Sequence, residues 1–321
     1  MPMRVLITGG AGFIGSHLVE AYLQTGAEVH ILDNLCTGRR ENLQEMVNRY
    51  HGRGSFKLFE GDITDAHAVH EAAMGADYIL HQAALPSVQR SVEDPLSTNR
   101  VNVEGTLNVL NAARALGVKR VIYASSSSVY GDSPHLPKVE NAALHPSSPY
   151  AVSKLAGEAY CRAFTRVYGL ETVALRYFNV FGPRQDPTSP YAAVIPRFIE
   201  ALLQHTAPVI YGDGTQSRDF TYIENVVRAN LLAVQASDVA GEAFNIAGGE
   251  GVSLLTILQW LERFFQRPVH PEYQPPRAGD IRHSRADITK AERMLGYRPL
   301  IGFQTGLEQT VMSYLQRRGN S

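Results

Sequence analysis

Apolar residues along this chain come in short runs of about five, separated by longer stretches in which they recur every three or four positions. Arg4-Val5-Leu6-Ile7-Thr8, Glu28-Val29-His30-Ile31-Leu32, residues 55–63, Asp77-Tyr78-Ile79-Leu80-His81 and Arg120-Val121-Ile122-Tyr123-Ala124 each predict a strand. Helices are predicted between them, notably over residues 16–25 and 95–116. Further on, residues 223–246 predict a helix and a strand returning to the first half, and 254–265 and 306–315 predict amphipathic helices. Strands that alternate with helices predict an α/β fold with a Rossmann-type, doubly wound parallel sheet, because parallel neighbours need a crossover that a helix fills.

At 321 residues the chain exceeds the size at which one core usually stops growing, so one large domain or two intimately joined ones are expected. Hydrophobic residues make up 44%, enough for a sizeable core. A net charge of -1 with interspersed signs excludes a basic nucleic-acid surface, and the eleven histidines do not change that at neutral pH. Cys36 and Cys161 are too few and too distant in sequence for a disulfide framework or a zinc site, so no metal and a reducing, cytoplasmic setting are expected. The first apolar run is too short for a signal peptide or a membrane span.

Chemistry enters first at Gly9-Gly10-Ala11-Gly12-Phe13-Ile14-Gly15, between the first strand and the first helix. Glycines there let the backbone approach a pyrophosphate lying at a helix N-terminus. Alone this would be only a turn, but Asp33 follows eighteen residues after Gly15 at a strand end. A carboxylate at that place accepts ribose hydroxyls and repels a 2′-phosphate, which selects NAD over NADP. Arg39 and Arg40 are the nearby cations that would suit a phosphate; a solvated loop or helix start is their other assignment. Asp62 is expected to accept from the adenine edge, Ala83 and Ala84 to let the cofactor backbone pass, and His81 to be a buried, hydrogen-bonded histidine.

Tyr150 and Lys154 stand four residues apart and project from one face of a helix. Lowering a phenol from roughly 10 to about 7 takes about 4 kcal/mol. One cation near 4 Å supplies a comparable amount at an effective dielectric of about 20. Burial opposes it, so a second cation is expected, such as an oxidised nicotinamide. Ser125 to Ser128 follow the fifth strand, where ligands of such sheets bind, and Ser126 is the expected partner for the oxygen that Tyr150 deprotonates.

Thr8-Gly9-Gly10-Ala11-Gly12-Phe13-Ile14-Gly15, Asn102, Ser126, Tyr150-x-x-x-Lys154 and Leu175-Arg176-Tyr177-Phe178-Asn179-Val180-Phe181-Gly182-Pro183 together resemble the extended short-chain dehydrogenase/reductase family, over essentially the whole chain. Within it the chain is most similar to nucleotide-sugar 4-epimerases, the bacterial UDP-N-acetylglucosamine 4-epimerases in particular. The resemblance implies bound NAD as a catalyst, a UDP-hexose substrate inverted at C4 through a 4-keto sugar, and Ser126, Tyr150 and Lys154 as the catalytic residues. It extends the cofactor contacts from the glycine loop, Asp33, Asp62, Ala83 and Ala84 to Asn34, Thr37, Gly38, Ile63, Asn102, Ala124 and Tyr177. For the substrate it implies Ala193 and Val194 at the uracil, Tyr211 stacked on the uridine, Arg218 and Arg277 on phosphate and Asp280 on ribose. Ser87, Ser127 and Asn179 complete that surface.

Family dehydratases carry an acidic pair directly after the position of Ser126, where this chain has Ser127 and Ser128, so elimination lacks its proton carriers. The glutamate of related decarboxylases is absent from the same run. Ser284 matches a position that is bulky in glucose-restricted relatives and small in N-acetyl-tolerant ones, which favours UDP-GlcNAc and UDP-GalNAc, with UDP-Glc and UDP-Gal as a second pair. Other readings are a UDP-glucuronate 4-epimerase, another UDP-sugar-modifying member, or a non-catalytic dinucleotide sensor; such sensors usually lose the tyrosine and lysine kept here. Residues 1–180 with about 223–246 are expected to hold NAD, and 181–222 with 247–321 to form a smaller α/β substrate domain. A homodimer is implied, with helices after the fourth and fifth strands pairing as a four-helix bundle.

Overall fold

The structure, a computed structural model, describes residues 2–50, 55–189, 192–276 and 282–319. The chain begins with β1 (Arg4–Thr8), α1 (Phe13–Gln24), β2 (Glu28–Asp33), α2 (Glu41–Arg49), β3 (Ser55–Glu60), α3 (Ala66–Ala73) and β4 (Tyr78–His81). Next come α4 (Val88–Glu93), α5 (Pro95–Asn99), a π-helical turn (Arg100–Glu104), α6 (Gly105–Ala115) and β5 (Arg120–Ser126). A 3₁₀ turn (Ser127–Tyr130), α7 (Pro149–Tyr168) and β6 (Glu171–Tyr177) follow.

Beyond lie β7 (Val180–Phe181), α8 (Val194–Leu203), β8 (Val209–Tyr211), β9 (Ser217–Asp219) and β10 (Thr221–Tyr222). The chain then forms α9 (Ile223–Gln235), β11 (Glu242–Ile246), β12 (Gly251–Ser253) and α10 (Leu254–Phe265). It closes with β13 (Glu272–Gln274), α11 (Thr289–Leu295) and α12 (Phe303–Gly319).

Seven strands form one all-parallel sheet in the order β11-β6-β5-β4-β1-β2-β3. Its central strands are covered on both faces, so they are continuous apolar runs; Val5, Leu6, Ile7 and Thr8 are wholly inaccessible. Strand order reverses between β1 and β4, which opens the crevice where ligands of such sheets sit. The later short strands pair two by two: β10 with β7, β12 with β9, and β13 with β8. One cluster of buried apolar side chains runs from Val5 of β1 to Tyr314 of α12, so the sheet and the C-terminal elements share a core.

Element boundaries differ from the expectations in instructive places. α1 begins at Phe13, three residues before the predicted start, and so contains Gly15. A Cβ on Gly15 would lie 2.0 Å from the Gly9 carbonyl oxygen, so only glycine lets the helix pack there despite its low helix propensity. β3 ends at Glu60, before Asp62, whose carboxylate accepts from the Thr64 N–H in a local turn. The predicted helix over 95–116 is interrupted by the π turn, which swings Asn102 inward. α7 starts where Ser148 caps the Ala151 N–H and Pro149 takes the first turn, and it stops at Gly169 in the left-handed region.

Candidate active site

Gly9, with a φ of +70°, turns the chain at the end of β1, and a Cβ there would lie 2.8 Å from the Ala83 nitrogen after β4. This close approach spans the point where the strand order reverses. Gly12 caps α1 without any side-chain hydrogen bond, and the first turn of Phe13, Ile14 and Gly15 holds no acid. The helix therefore offers uncompensated N–H groups and a positive dipole end to an anion. Asp33 accepts from the Ala11 N–H at 2.9 Å and the Leu35 N–H at 2.8 Å, which ties the glycine turn to the end of β2. Burial raises its pKa against those two donors. Gly38 backs directly onto that carboxylate, and Thr37 beside it is exposed.

Asn34 donates to Asp62 at 2.6 Å, so two expected cofactor residues are joined to each other. Arg39 pairs with Asp186 at 2.7 Å and Arg40 with Glu60, so both arginines face acids. Ile63 is buried and packs on Gly105. Asn102, 1% exposed, accepts from the Leu85 N–H at 2.8 Å and donates to Ser153 at 3.0 Å; it braces the loop that carries Ala83 and Ala84. His81 is enclosed between Thr8 at 2.7 Å and Thr106 at 2.9 Å, and burial followed by the Lys154 charge holds its pKa down to about 3.

Ser126 ends β5, its hydroxyl accepting from the Ser128 N–H at 3.1 Å, while Ser127 begins the 3₁₀ turn. Tyr150 lies in the first turn of α7. Burial raises its phenol above the usual value, and the interaction with Ser126 offsets only part of that. Lys154, 4% exposed, donates to the Ala124 carbonyl at 2.8 Å, and its ammonium lies 6.0 Å from the Tyr150 ring centroid. Burial lowers its own pKa to about 8. In the protein alone desolvation outweighs the Ser126 hydrogen bond, so the phenolate needs a nearby positive charge to be favoured. Tyr177 pairs with Ser126 across the β5–β6 ladder, and its hydroxyl accepts from Asn230 at 2.9 Å, with burial pushing it up to about 12.

A cavity of about 440 Å³ lies among β7, α8, β8 and β9. Five of the expected substrate residues line it: Asn179, Ala193, Val194, Tyr211 and Arg218. Its volume is that of a small-molecule site. Asn179 holds a left-handed φ of 32° and donates to the Asp219 carbonyl at 2.9 Å, a strained conformation of the kind found at ligand clamps. Asp219, fully buried, accepts from the N–H groups of Gly248, Gly249 and Ala286, and burial pushes its carboxyl up to about 7 against them. It thereby joins β9, with Arg218, to the segment that holds Ser284. The Ser284 N–H donates to the Ser217 carbonyl at 3.1 Å, which places that half-buried serine beside Arg218. Ser87 lies apart as the N-cap of α4. Arg277 and Asp280 lie outside the described residues.

Several participants escaped the sequence reading. Gln82 and Asn230 hold Tyr177, Phe181 and Phe198 wall the cavity, Asp219 holds β9 to the segment that carries Ser284, and Glu158 pairs with Arg176. Phe181 stood in the motif after Leu175, and Glu158 lies four residues after Lys154 on the same helical face. A second cavity of about 480 Å³, between α7 and α11, holds none of the expected catalytic or binding residues. Among the described residues no helix is long and apolar enough to cross a membrane, and no cluster of metal ligands is found.

A phenol, a lysine and a serine gathered beside a dinucleotide cradle can take a proton from a carbinol while a bound cofactor changes its oxidation state. The chain belongs to the NAD dependent epimerase/dehydratase family, whose model matches residues 5–247. It is 40% identical over 311 residues to a UDP-glucose 4-epimerase of Mycolicibacterium smegmatis, covering 96% of this chain and 97% of that relative. Among solved structures it is similar to a UDP-N-acetylglucosamine 4-epimerase from Methanobrevibacter ruminantium M1 in complex with UDP-N-acetylmuramic acid. That likeness has a TM-score of 0.93 and 39% identity, over 98% of this chain and 99% of the other. A UDP-glucose 4-epimerase from Thermus thermophilus, in complex with NAD, aligns with a TM-score of 0.86 and 38% identity, over 98% and 99% of the two chains. This protein is thus an enzyme, an NAD-dependent epimerase. The open end of α1 and the Asp33 carboxylate, with both nearby arginines turned to acids, suit NAD.

Proposed function

We propose that the enzyme interconverts UDP-GlcNAc and UDP-GalNAc, with UDP-Glc and UDP-Gal as a second pair, through a transient 4-keto sugar. When bound, NAD supplies reversible hydride acceptance at a carbinol carbon. Tyr150 takes the proton from the sugar 4-hydroxyl and returns it after the ketone has turned over. Ser126 holds the same oxygen, and Lys154 favours the phenolate. Arg218 and Arg277 keep the diphosphate in place while the ketone reorients, so binding energy from the remote UDP is spent on retaining a loosely held intermediate. Residues 1–180 with 223–246 hold NAD tightly between turnovers, and the rest of the chain covers the sugar nucleotide.

The observation that carries the substrate choice is Ser284, a small side chain held to β9 next to Arg218. A side chain of that size leaves room for a 2-acetamido group. Product analysis after separate incubations with UDP-GlcNAc, UDP-Glc and UDP-GlcA tests this. Conversion of UDP-GlcNAc to its 4-epimer is expected; conversion of UDP-GlcA alone would transfer the enzyme to the uronate-specific epimerases.

A homodimer is part of the same reading. Val88, Val92 and Leu96 on α4 and α5, and Val152 and Tyr160 on α7, are exposed apolar side chains on helices that pack together. A second copy covering them accounts for their exposure. Sedimentation at micromolar concentration should give twice the chain mass, and a monomer would remove this part of the proposal.

A further inference from the structure

The catalytic face of α7 continues past Lys154 to Glu158, which is 3% exposed and lies against Arg176 at 1%. One carboxylate oxygen of Glu158 accepts from the Ser125 hydroxyl and from Arg176 Nε at 2.9 Å, and the other accepts from Arg176 Nη2 at 2.7 Å. Burial works against the Arg176 charge, but hydrogen bonds and charge from Glu158 outweigh it and raise its pKa. Ser125 and Arg176 are direct partners in the β5–β6 ladder, and the next pair in that ladder is Ser126 and Tyr177. One carboxylate therefore grips both strands a single residue before their functional ends. It does so from the helix that carries Tyr150 two turns away.

Arg176 also donates from Nη1 to the Tyr130 hydroxyl at 2.8 Å, which donates to Asn245 at 2.7 Å on β11. Asn245 in turn donates to the Asp287 carbonyl at 3.0 Å, three residues after Ser284. The chain of bonds thus runs from the face of α7 that carries Tyr150, across three strands, to the segment that holds Ser284.

A buried ion pair is seldom more stabilising than apolar residues of the same volume, whereas its directional bonds impose one geometry. Elsewhere α7 is tied to β5 by the Lys154 bond to the Ala124 carbonyl at 2.8 Å and to β6 by the Thr172 hydroxyl donating to the Cys161 carbonyl at 2.9 Å, and it packs closely, with the Tyr123 hydroxyl 2.2 Å from where a Cβ on Gly157 would sit. Those are single bonds, one of them from a long flexible side chain, whereas the Glu158 carboxylate makes three directional bonds to both strands next to their functional ends. We propose that Glu158 and Arg176 are positioning residues: they fix the register of α7 on β5 and β6, and with it the placement of Tyr150 against Ser126. This rests on Tyr150 as the base.

The test uses the NAD-loaded enzyme with Ser125→Ala and with the double variant Glu158→Met/Arg176→Met. Misplacement by about 1 Å costs about a hundredfold in rate. The double variant should lose about that much kcat and Ser125→Ala about a tenth of it. KM for the UDP-sugar should stay within about twofold, since the diphosphate contacts lie elsewhere. The acid limb of the kcat profile should move to higher pH as Ser126 stops supporting the phenolate. Wild-type kcat and pH profile in both variants, whatever their melting temperatures, would overturn the inference, as would a change confined to KM. Should the double variant fail to fold, Ser125→Ala still decides, because it leaves the ion pair intact. Tyr150→Phe in parallel separates the two claims: activity retained there refutes the base, while activity lost there but unchanged in Ser125→Ala refutes the positioning alone.

Discussion

Around Gly9 the binding surface is backbone: the turn after β1, the uncapped start of α1, and Asp33 reaching back to the Ala11 N–H. Around Tyr211 it is side chains on short strands, brought together from β7, α8 and β9 and closed by a buried aspartate. Most of the first site is assembled within thirty-odd residues of chain and is held by hydrogen bonds that the Asp33 carboxylate accepts from Ala11 in the glycine turn and from Leu35; the second draws on segments a hundred residues apart and depends on packing. The difference teaches that a dinucleotide suits a backbone cradle; under the proposed epimerisation, a sugar that turns over inside its site suits a surface that grips only the remote diphosphate.

The largest effect expected is on the chemistry between the two regions. Tyr150→Phe should lower kcat by about 10³-fold while bound NAD and melting temperature stay near wild type, because only the proton carrier is lost. Retained turnover would show that neither region serves this phenol. Ser284→Tyr should change the ratio of the two substrate pairs by about a hundredfold, abolishing N-acetylated turnover and sparing the glucose pair. Unchanged activity on both pairs would sink the gate.

Arg218→Met should raise KM for the UDP-sugar about tenfold or more with less effect on bound NAD, as expected for loss of a charge-assisted hydrogen bond worth about 1.5–3 kcal/mol. Equal loss of cofactor would mean that the two regions are not separable. The smallest effect concerns pH. Burial raises the Tyr150 phenol, and a neighbouring cation favours its ionised form, so kcat should rise with pH through the phenol's titration. Lys154, held at about 8, loses its charge above that pH, so the rise should flatten there. Lys154→Met should move the acid limb up by about one pH unit; an unmoved limb would exclude the lysine from that role.

Legibility in the sequence followed the same divide. The strands of the sheet, the glycine turn and the pairing of Tyr150 with Lys154 all depend on neighbours within one or two turns, and their spacing revealed them. Where local preference competed with packing, the expectation slipped. Glycine's poor helix propensity hid the first turn of α1, and the lone apolar Ile63 after Gly61 and Asp62 hid the end of β3 at Glu60. Asn102 was recognisable as a motif residue, but its brace on Leu85 and Ser153 required the π turn. Gln82, Asn230 and Asp219 carried no sequence signal, because their partners lie tens to over a hundred positions away.

The sequence by itself determined the parallel sheet, the dinucleotide cradle and the helical spacing of Tyr150 and Lys154, since period, glycine placement and helical spacing are short-range properties. Tertiary structure alone decided the shape of the cavity beside Arg218, the clamp at Asp219 and the ion pair of Glu158 with Arg176. Those features depend on distances between segments remote in the chain and on burial, which sets both the strength of a charge pair and the direction of a pKa shift.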